Sequence, residues 1–196
     1  MLTKSFFIWV VGRENSRFYE RYNTQANPTG LQNDASDEEF QNASIYRLYK
    51  AGCLALRPWL QSDEGEEKST WVPARGMENF KAALDRQYLQ ESKRINAWLV
   101  MLTIAITGGP FLGLLGTVWG VMNTFAAMAE ADEANIMAIA PGVASALSTT
   151  VFGLIVAIPA LFGYNFITSK IKNITADMNV FMDDFTLKVE QAHRPE

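Results

Sequence analysis

Two uncharged runs, almost back to back, limit this chain more than anything else in it. From Ile95 to Ala129 there are 35 residues without a charged side chain, and from Ala134 to Ser169 there are 36 more. Only EADE, residues 130–133, separates them, and all 17 Lys and Arg residues lie outside 95–169. A membrane-spanning helix needs about 20 predominantly apolar residues, so each run is long enough to cross a bilayer. The sequence therefore predicts an all-α integral membrane protein. Its long helices span the membrane and extend into a cytoplasmic helical bundle.

Orientation follows from where the positive charges sit. Lys93 and Arg94 precede the first run, Lys170 and Lys172 follow the second, and the connecting loop carries Glu130, Asp132 and Glu133. Both ends of the 95–169 hairpin are expected in the cytoplasm, with the short acidic loop, 131–135, on the periplasmic side. The lone Cys53 excludes a disulfide framework, and the lone His193 sits near the C-terminus. Zinc chemistry and His- or Cys-based catalysis are disfavoured, as is any resident metal or cofactor. Mixed acidic and basic residues leave no nucleic-acid footprint.

The chain before the hairpin reads as a cytoplasmic helical region, 13–106. SFFIWVVG, residues 5–12, is apolar but too short to span, and RENSRFYER follows at once. Either this stretch lies at the membrane interface, or it is a remnant or inner end of a first transmembrane helix. NTQANPTGLQNDASD, 23–37, is a turn-rich linker. Ser36 with Glu39 three residues on forms a capping box. It opens a helix expected to reach Leu56, with Phe40, Ile45, Leu48, Tyr49 and Leu54 as its apolar stripe. Residues 57–73 read as a loop. A second helix starts near Met77 and carries Phe80, Leu84, Tyr88 and Leu89.

Pro110 lacks an N–H and disfavours helix in the residue before it, so TGGP, 107–110, is read as a break. A span is expected over 107–130, with its helix from about 110 to 129. The second span, 136–166, has Pro141 placed for a first turn and a further break at Pro159. Beyond it lies a cytoplasmic amphipathic helix and tail, 167–196. Ile167, Ile171, Ile174, Met178, Phe181 and Phe185 are spaced 4, 3, 4, 3, 4 there, which is heptad spacing. That stripe serves either the subunit's own core or contacts between subunits.

Inside the spans, Gly113, Gly116 and Gly120 lie near one helical face. Gly142, Ala146, Gly153 and Ala157 form a small-residue face on the other helix. Small residues allow close helix approach where lipid supplies no hydrophobic drive. Thr117 and Thr124 are seven apart. Ser145, Ser148, Thr149 and Thr150 place four hydroxyls in six residues, with Thr150 turned about 100° from Thr149. They form either a polar, water-accessible seam or a set of hydroxyls satisfied by their own backbone. Hydroxyls do not hold a transferable proton at neutral pH as a carboxylate does. An ion pathway built from this chain alone would lack its titrating group.

PFLGLLGTVWGVMNTF followed by APGVASALSTTVFGLIVAIPALFGYN resembles the paired signature of the MotA/TolQ/ExbB proton channel family, most closely its TolQ/ExbB branch. The likeness covers roughly 80–189. It implies an inner-membrane homo-oligomer, a pentamer in the family, enclosing a single-span partner of the ExbD/TolR type that carries a membrane aspartate. Proton flow through that site would drive a TonB- or TolA-like energy transducer, in TonB-dependent uptake or a Tol-Pal type process. The resemblance places Thr117 and Thr150 facing the partner's aspartate. Ser145 stands where relatives carry Glu after APGIA, which leaves room for a Na⁺-coupled stator or a non-conducting scaffold. The missing upstream part of a first span implies a truncated gene model, or a chain that starts inside that helix. An enzyme would need a base that the spans do not contain.

Overall fold

The computed structural model describes residues 2–25, 28–30, 39–60, 72–97, 99–131 and 136–193. The helices that carry most of them are α1 (Leu2–Asn23), α2 (Ser44–Leu60), α3 (Ala74–Asn96), α4 (Leu99–Ala131) and α5 (Ile136–Ala192). No strand occurs among the described residues. The chain is an all-α membrane protein, with two helices long and apolar enough to cross a bilayer. It divides into two units, 1–96 with 169–196, and 97–168.

The first unit combines α1, α2, α3 and the end of α5. Its centre is aromatic. Tyr22 and Phe181 lie 5.1 Å apart between ring centroids, Phe80 and Phe185 5.1 Å, and Tyr49 and Phe185 5.3 Å. The first two are edge-to-face and the third is tilted at 34°, and aromatic pairs of this kind add to what area burial gives. Within this unit the heptad stripe of α5 is buried throughout from Ile171 to Phe185, and Val189 extends it by four residues. A Cβ on Gly52 would lie 2.6 Å from Phe185 and 2.7 Å from Phe80, so α2 presents bare backbone to those rings.

On α2, Ile45, Leu48, Tyr49, Cys53 and Leu56 are buried with helical spacing. The expected stripe named Leu54 as well, but Leu54 is exposed; Leu56 points inward instead. The helix starts at Ser44, not near Ser36, and its first turn is capped by another helix: the Asn15 side-chain carbonyl accepts the Ile45 N–H at 3.1 Å. Residues 31–38, where the capping box was expected, lie outside the described residues, as do 61–71 of the expected loop. The rest of that loop is shorter than expected, because α2 runs through Pro58 to Leu60. On α3, Phe80 and Leu84 are buried while Leu89 is exposed.

SFFIWVVG continues without a break into RENSRFYER within α1. Ile8 and Val11 are buried, and Trp9 is exposed under the Arg13 guanidinium, 5.4 Å from its ring. A buried carboxylate ties α2 to α3. Glu91 is 3% exposed and accepts from Arg47 Nη1 at 3.1 Å, Gln87 Nε2 at 3.2 Å and, as an ion pair, Arg94 at 3.5 Å. Burial pushes the Cys53 thiol up to about 12.

The prolines do not break the helices. α4 is continuous through Pro110, so the expected division of the first run into two helices is not seen. α5 runs for 57 residues through both Pro141 and Pro159. Pro141 is its sixth residue, past the first turn where proline costs nothing. At about 1.5 Å per residue, α5 is about 85 Å long, far more than the hydrocarbon core requires. Spanning helices tolerate proline because neighbouring helices, Thr side chains and local adjustments take up the freed carbonyls.

Candidate functional site: the hydroxyl cluster of the helix pair

In the second unit, α4 packs antiparallel against the first half of α5, and small residues set the separation. A Cβ on Gly109 would meet the Gly153 carbonyl at 2.9 Å, and one on Gly113 the Thr150 Cα at 2.9 Å. Gly116 faces the Thr149 Cβ at 2.9 Å by the same measure, Gly120 faces Ala146 at 2.6 Å, and Gly142 lies against the Thr124 side chain. All five glycines singled out for packing, Gly113, Gly116, Gly120, Gly142 and Gly153, line this contact. Gly109 completes it. It was missed because the neighbouring proline read as a stop signal.

Close approach brings three hydroxyls together. Thr117 Oγ1 lies 2.5 Å from Thr150 Oγ1 and 3.4 Å from Thr149 Oγ1. Two backbone carbonyls serve the group. The Gly113 carbonyl is 3.1 Å from Thr117, 3.1 Å from Thr149 and 3.2 Å from Thr150. The Ala146 carbonyl is 2.7 Å from Thr149 and 3.2 Å from Thr117. Each hydroxyl has one proton to donate and two lone pairs. Three protons thus serve three hydroxyl oxygens and two carbonyls, so acceptor capacity is in excess. The side chains are half-buried, leaving them within reach of a group from outside the pair.

The four hydroxyls of α5 divide. Thr149 and Thr150 join Thr117. Ser145 and Ser148 are exposed, and Ser148 donates to the Ala144 carbonyl one turn back at 2.9 Å. Thr124 likewise donates to Gly120 at 2.8 Å. The 100° between Thr149 and Thr150 does not separate them, because Gly113 and Gly116 let α4 sit between the two side chains. Residues 97–129 and 136–168 contain no Asp, Glu, Lys, Arg or His. Among the described residues no group of three His, Cys, Asp or Glu could hold a metal. The cluster can therefore orient water, accept from a protonated donor, or donate to a carboxylate, but it cannot itself store a proton.

The profile of the MotA/TolQ/ExbB proton channel family matches residues 53–180. The chain is 29% identical over 168 residues to the Tol-Pal system protein TolQ of Pseudomonas aeruginosa, covering 86% of this chain and 70% of that one. It is 44% identical over 77 residues to TolQ of Haemophilus influenzae, 39% of this chain and 34% of the relative. With the biopolymer transport protein ExbB of Aquifex aeolicus it shares 32% identity over 126 residues, 64% of this chain and 82% of the relative. The profile match takes in both helices of the pair and all three clustered threonines, and the chain belongs to the MotA/TolQ/ExbB proton channel family.

Proposed function

We propose that this chain is the channel and stator subunit of an inner-membrane energy-coupling complex. With a single-span ExbD/TolR-like partner it couples the proton-motive force to mechanical work on a TonB- or TolA-like protein. The observation that carries this reading is the half-buried cluster of Thr117, Thr149 and Thr150 inside spans that hold no Asp, Glu, Lys, Arg or His. Such a site has hydrogen-bonding chemistry for an ion but needs a carboxylate from another chain to bind and release it. The relatives are proteins of Tol-Pal and biopolymer transport systems, which suits a partner of that kind. Several copies of this chain would surround the partner helix, with both hairpin ends in the cytoplasm.

One observation favours a second reading. Ser145 is exposed and apart from the threonine cluster, at the position where the resembling sequences carry an acid. Without that acid the same oligomer could hold its partner without conducting, or couple to Na⁺. The test is to co-express the chain with an ExbD/TolR-like single-span protein and to measure uptake into vesicles under separate proton and sodium gradients. Conduction predicts that Thr117→Val and Thr150→Val each lower the flux. Unchanged flux and unchanged partner-driven transport in both variants would overturn it.

A further inference from the structure

Below the cluster, α4 carries a second set of oxygens. Thr103 and Thr107 are exposed. Thr103 donates its hydroxyl proton to the Leu99 carbonyl at 3.2 Å, and Thr107 donates to the Thr103 carbonyl at 2.9 Å. With both protons committed inward, each hydroxyl oxygen presents only lone pairs outward. Pro110 adds to this, because its missing N–H takes the usual helical donor away from the Ile106 carbonyl. Three acceptors and no free donor thus fall within five residues. A Cβ on Gly108 would meet nothing within 4 Å, so the surface beside them is open.

Thr103 and Pro110 line up with the cluster, and Thr107 sits about 80° round the helix from Thr117. Thr103, Pro110, Thr117 and Thr124 are seven apart in sequence, and an α-helix drifts only about 20° per seven residues. Thr107 lies about 15 Å along the axis from Thr117, at about 1.5 Å per residue. Well round the helix from both threonines, Leu112, Leu115 and Trp119 are exposed and apolar.

We infer that Thr103, Thr107 and the Ile106 carbonyl form an acceptor-only vestibule that holds water and a hydrated monovalent cation on the cytoplasmic side of the Thr117 cluster. This rests on the channel reading for its direction and purpose. The acceptor geometry stands without it. An oxygen-only rim attracts a cation or water and offers nothing to an anion, which suits the inner mouth of a cation pathway.

The test is thiol accessibility in the full complex. Thr103→Cys, Thr107→Cys and, at the same depth on α4, Met101→Cys and Ile104→Cys are exposed in inverted vesicles to the membrane-impermeant cation trimethylammonium-ethyl methanethiosulfonate; Met101 and Ile104 are exposed but apolar. Cys53 gives little background, being buried. The thiolate is the reacting species and does not form in an apolar setting, so the two threonine positions should react about tenfold faster than the two apolar positions. Equal rates at all four overturn the vestibule. Labelling is read without transport. Fast labelling with no ion uptake in the parent complex overturns the channel reading while the water-filled patch stands. Slow labelling with normal uptake overturns the patch alone. A Thr103→Val, Thr107→Val double variant, keeping side-chain shape, should slow uptake about threefold, the order of one neutral hydrogen bond. Unchanged uptake there overturns its role in conduction.

Discussion

Gly113 presses its backbone against Thr150 so closely that an added Cβ would lie 2.9 Å from the Thr150 Cα and 3.1 Å from the Thr149 carbonyl. Both neighbours are backbone, and neither moves without shifting a helix. Gly113→Ala should therefore force α4 and α5 apart and destabilise the pair by about 1–3 kcal/mol, the usual cost of overpacking. Gly108 is the control. It has open space around it, and Gly108→Ala should stabilise by up to about 1 kcal/mol through helix propensity alone. Unfolding in mixed micelles reads both, and opposite signs are expected.

The ion pair between α2 and α3 should respond asymmetrically. The Glu91 side chain is 5% exposed while that of Arg47 is 24% exposed. Arg47→Ala leaves the buried carboxylate with Gln87 and the more distant Arg94 only, and should cost about 2 kcal/mol. Glu91→Leu leaves an arginine that can still reach solvent and donate to the Gln41 carbonyl; it should cost about 1 kcal/mol or less. Equal losses in thermal melts of the two variants would show that the carboxylate is not the buried partner that matters.

How much of this was legible beforehand depends on whether the signal was local. The two spans, the glycine faces and the stripe from Ile167 to Phe185 are periodic along one helix, and pattern reading finds them. The aromatic centre of the first unit draws Phe18, Tyr22, Tyr49, Phe80 and Phe181 from four helices, and no single-segment pattern announces that meeting. Pro110 misled because the rule for proline comes from solvated helices. There a lost backbone bond is an opportunity to end, whereas inside an apolar run ending would expose more unpaired groups than continuing. The grouping of Thr117 with both Thr149 and Thr150 needed the interhelical distance, which only the facing glycines set. Ser145 and Ser148 shared the composition of the cluster but not its face.

High pH should loosen the first unit. Burial is the first cause raising Cys53 from 9.0 to about 12, and the leading cause raising Tyr22 above its ordinary 10.0. Between pH 9 and 12 the unfolded thiol has lost its proton while the folded one keeps it, so the folded state binds more protons and stability falls as pH rises. Tyr22 adds a loss of the same sign from about pH 10. Tyr19, raised chiefly by its hydrogen bond to Asp184, acts in the same direction. Melting temperature followed from pH 7 to 11 should stay level and then decline above about 9. Cys53→Ala should remove the earliest part of that decline, and a profile unchanged by the substitution would falsify the assignment to the thiol.

Thr117 separates the cluster's structural role from its chemical one. Thr117→Val keeps the shape that fills the space beside Gly113 and removes one hydroxyl. Thr149 and Thr150 retain the Ala146 and Gly113 carbonyls at 2.7 and 3.2 Å, so no buried polar atom is stranded on α5. The cost in stability should be about 1 kcal/mol, the order of one neutral hydrogen bond, and the α4–α5 pair should still form. Ion uptake should fall well beyond what that loss of folded protein explains. Thr117→Ser reverses the balance, keeping the hydroxyl and giving up the methyl group. It should lose comparable stability, about 1 kcal/mol for one buried methyl, yet keep most of the uptake. Vesicle flux set against unfolding free energy for the two variants distinguishes the roles. If Ser and Val lower flux in proportion to stability, Thr117 holds the helices together and nothing more. If Val alone abolishes flux at equal stability, the hydroxyl itself is the working part.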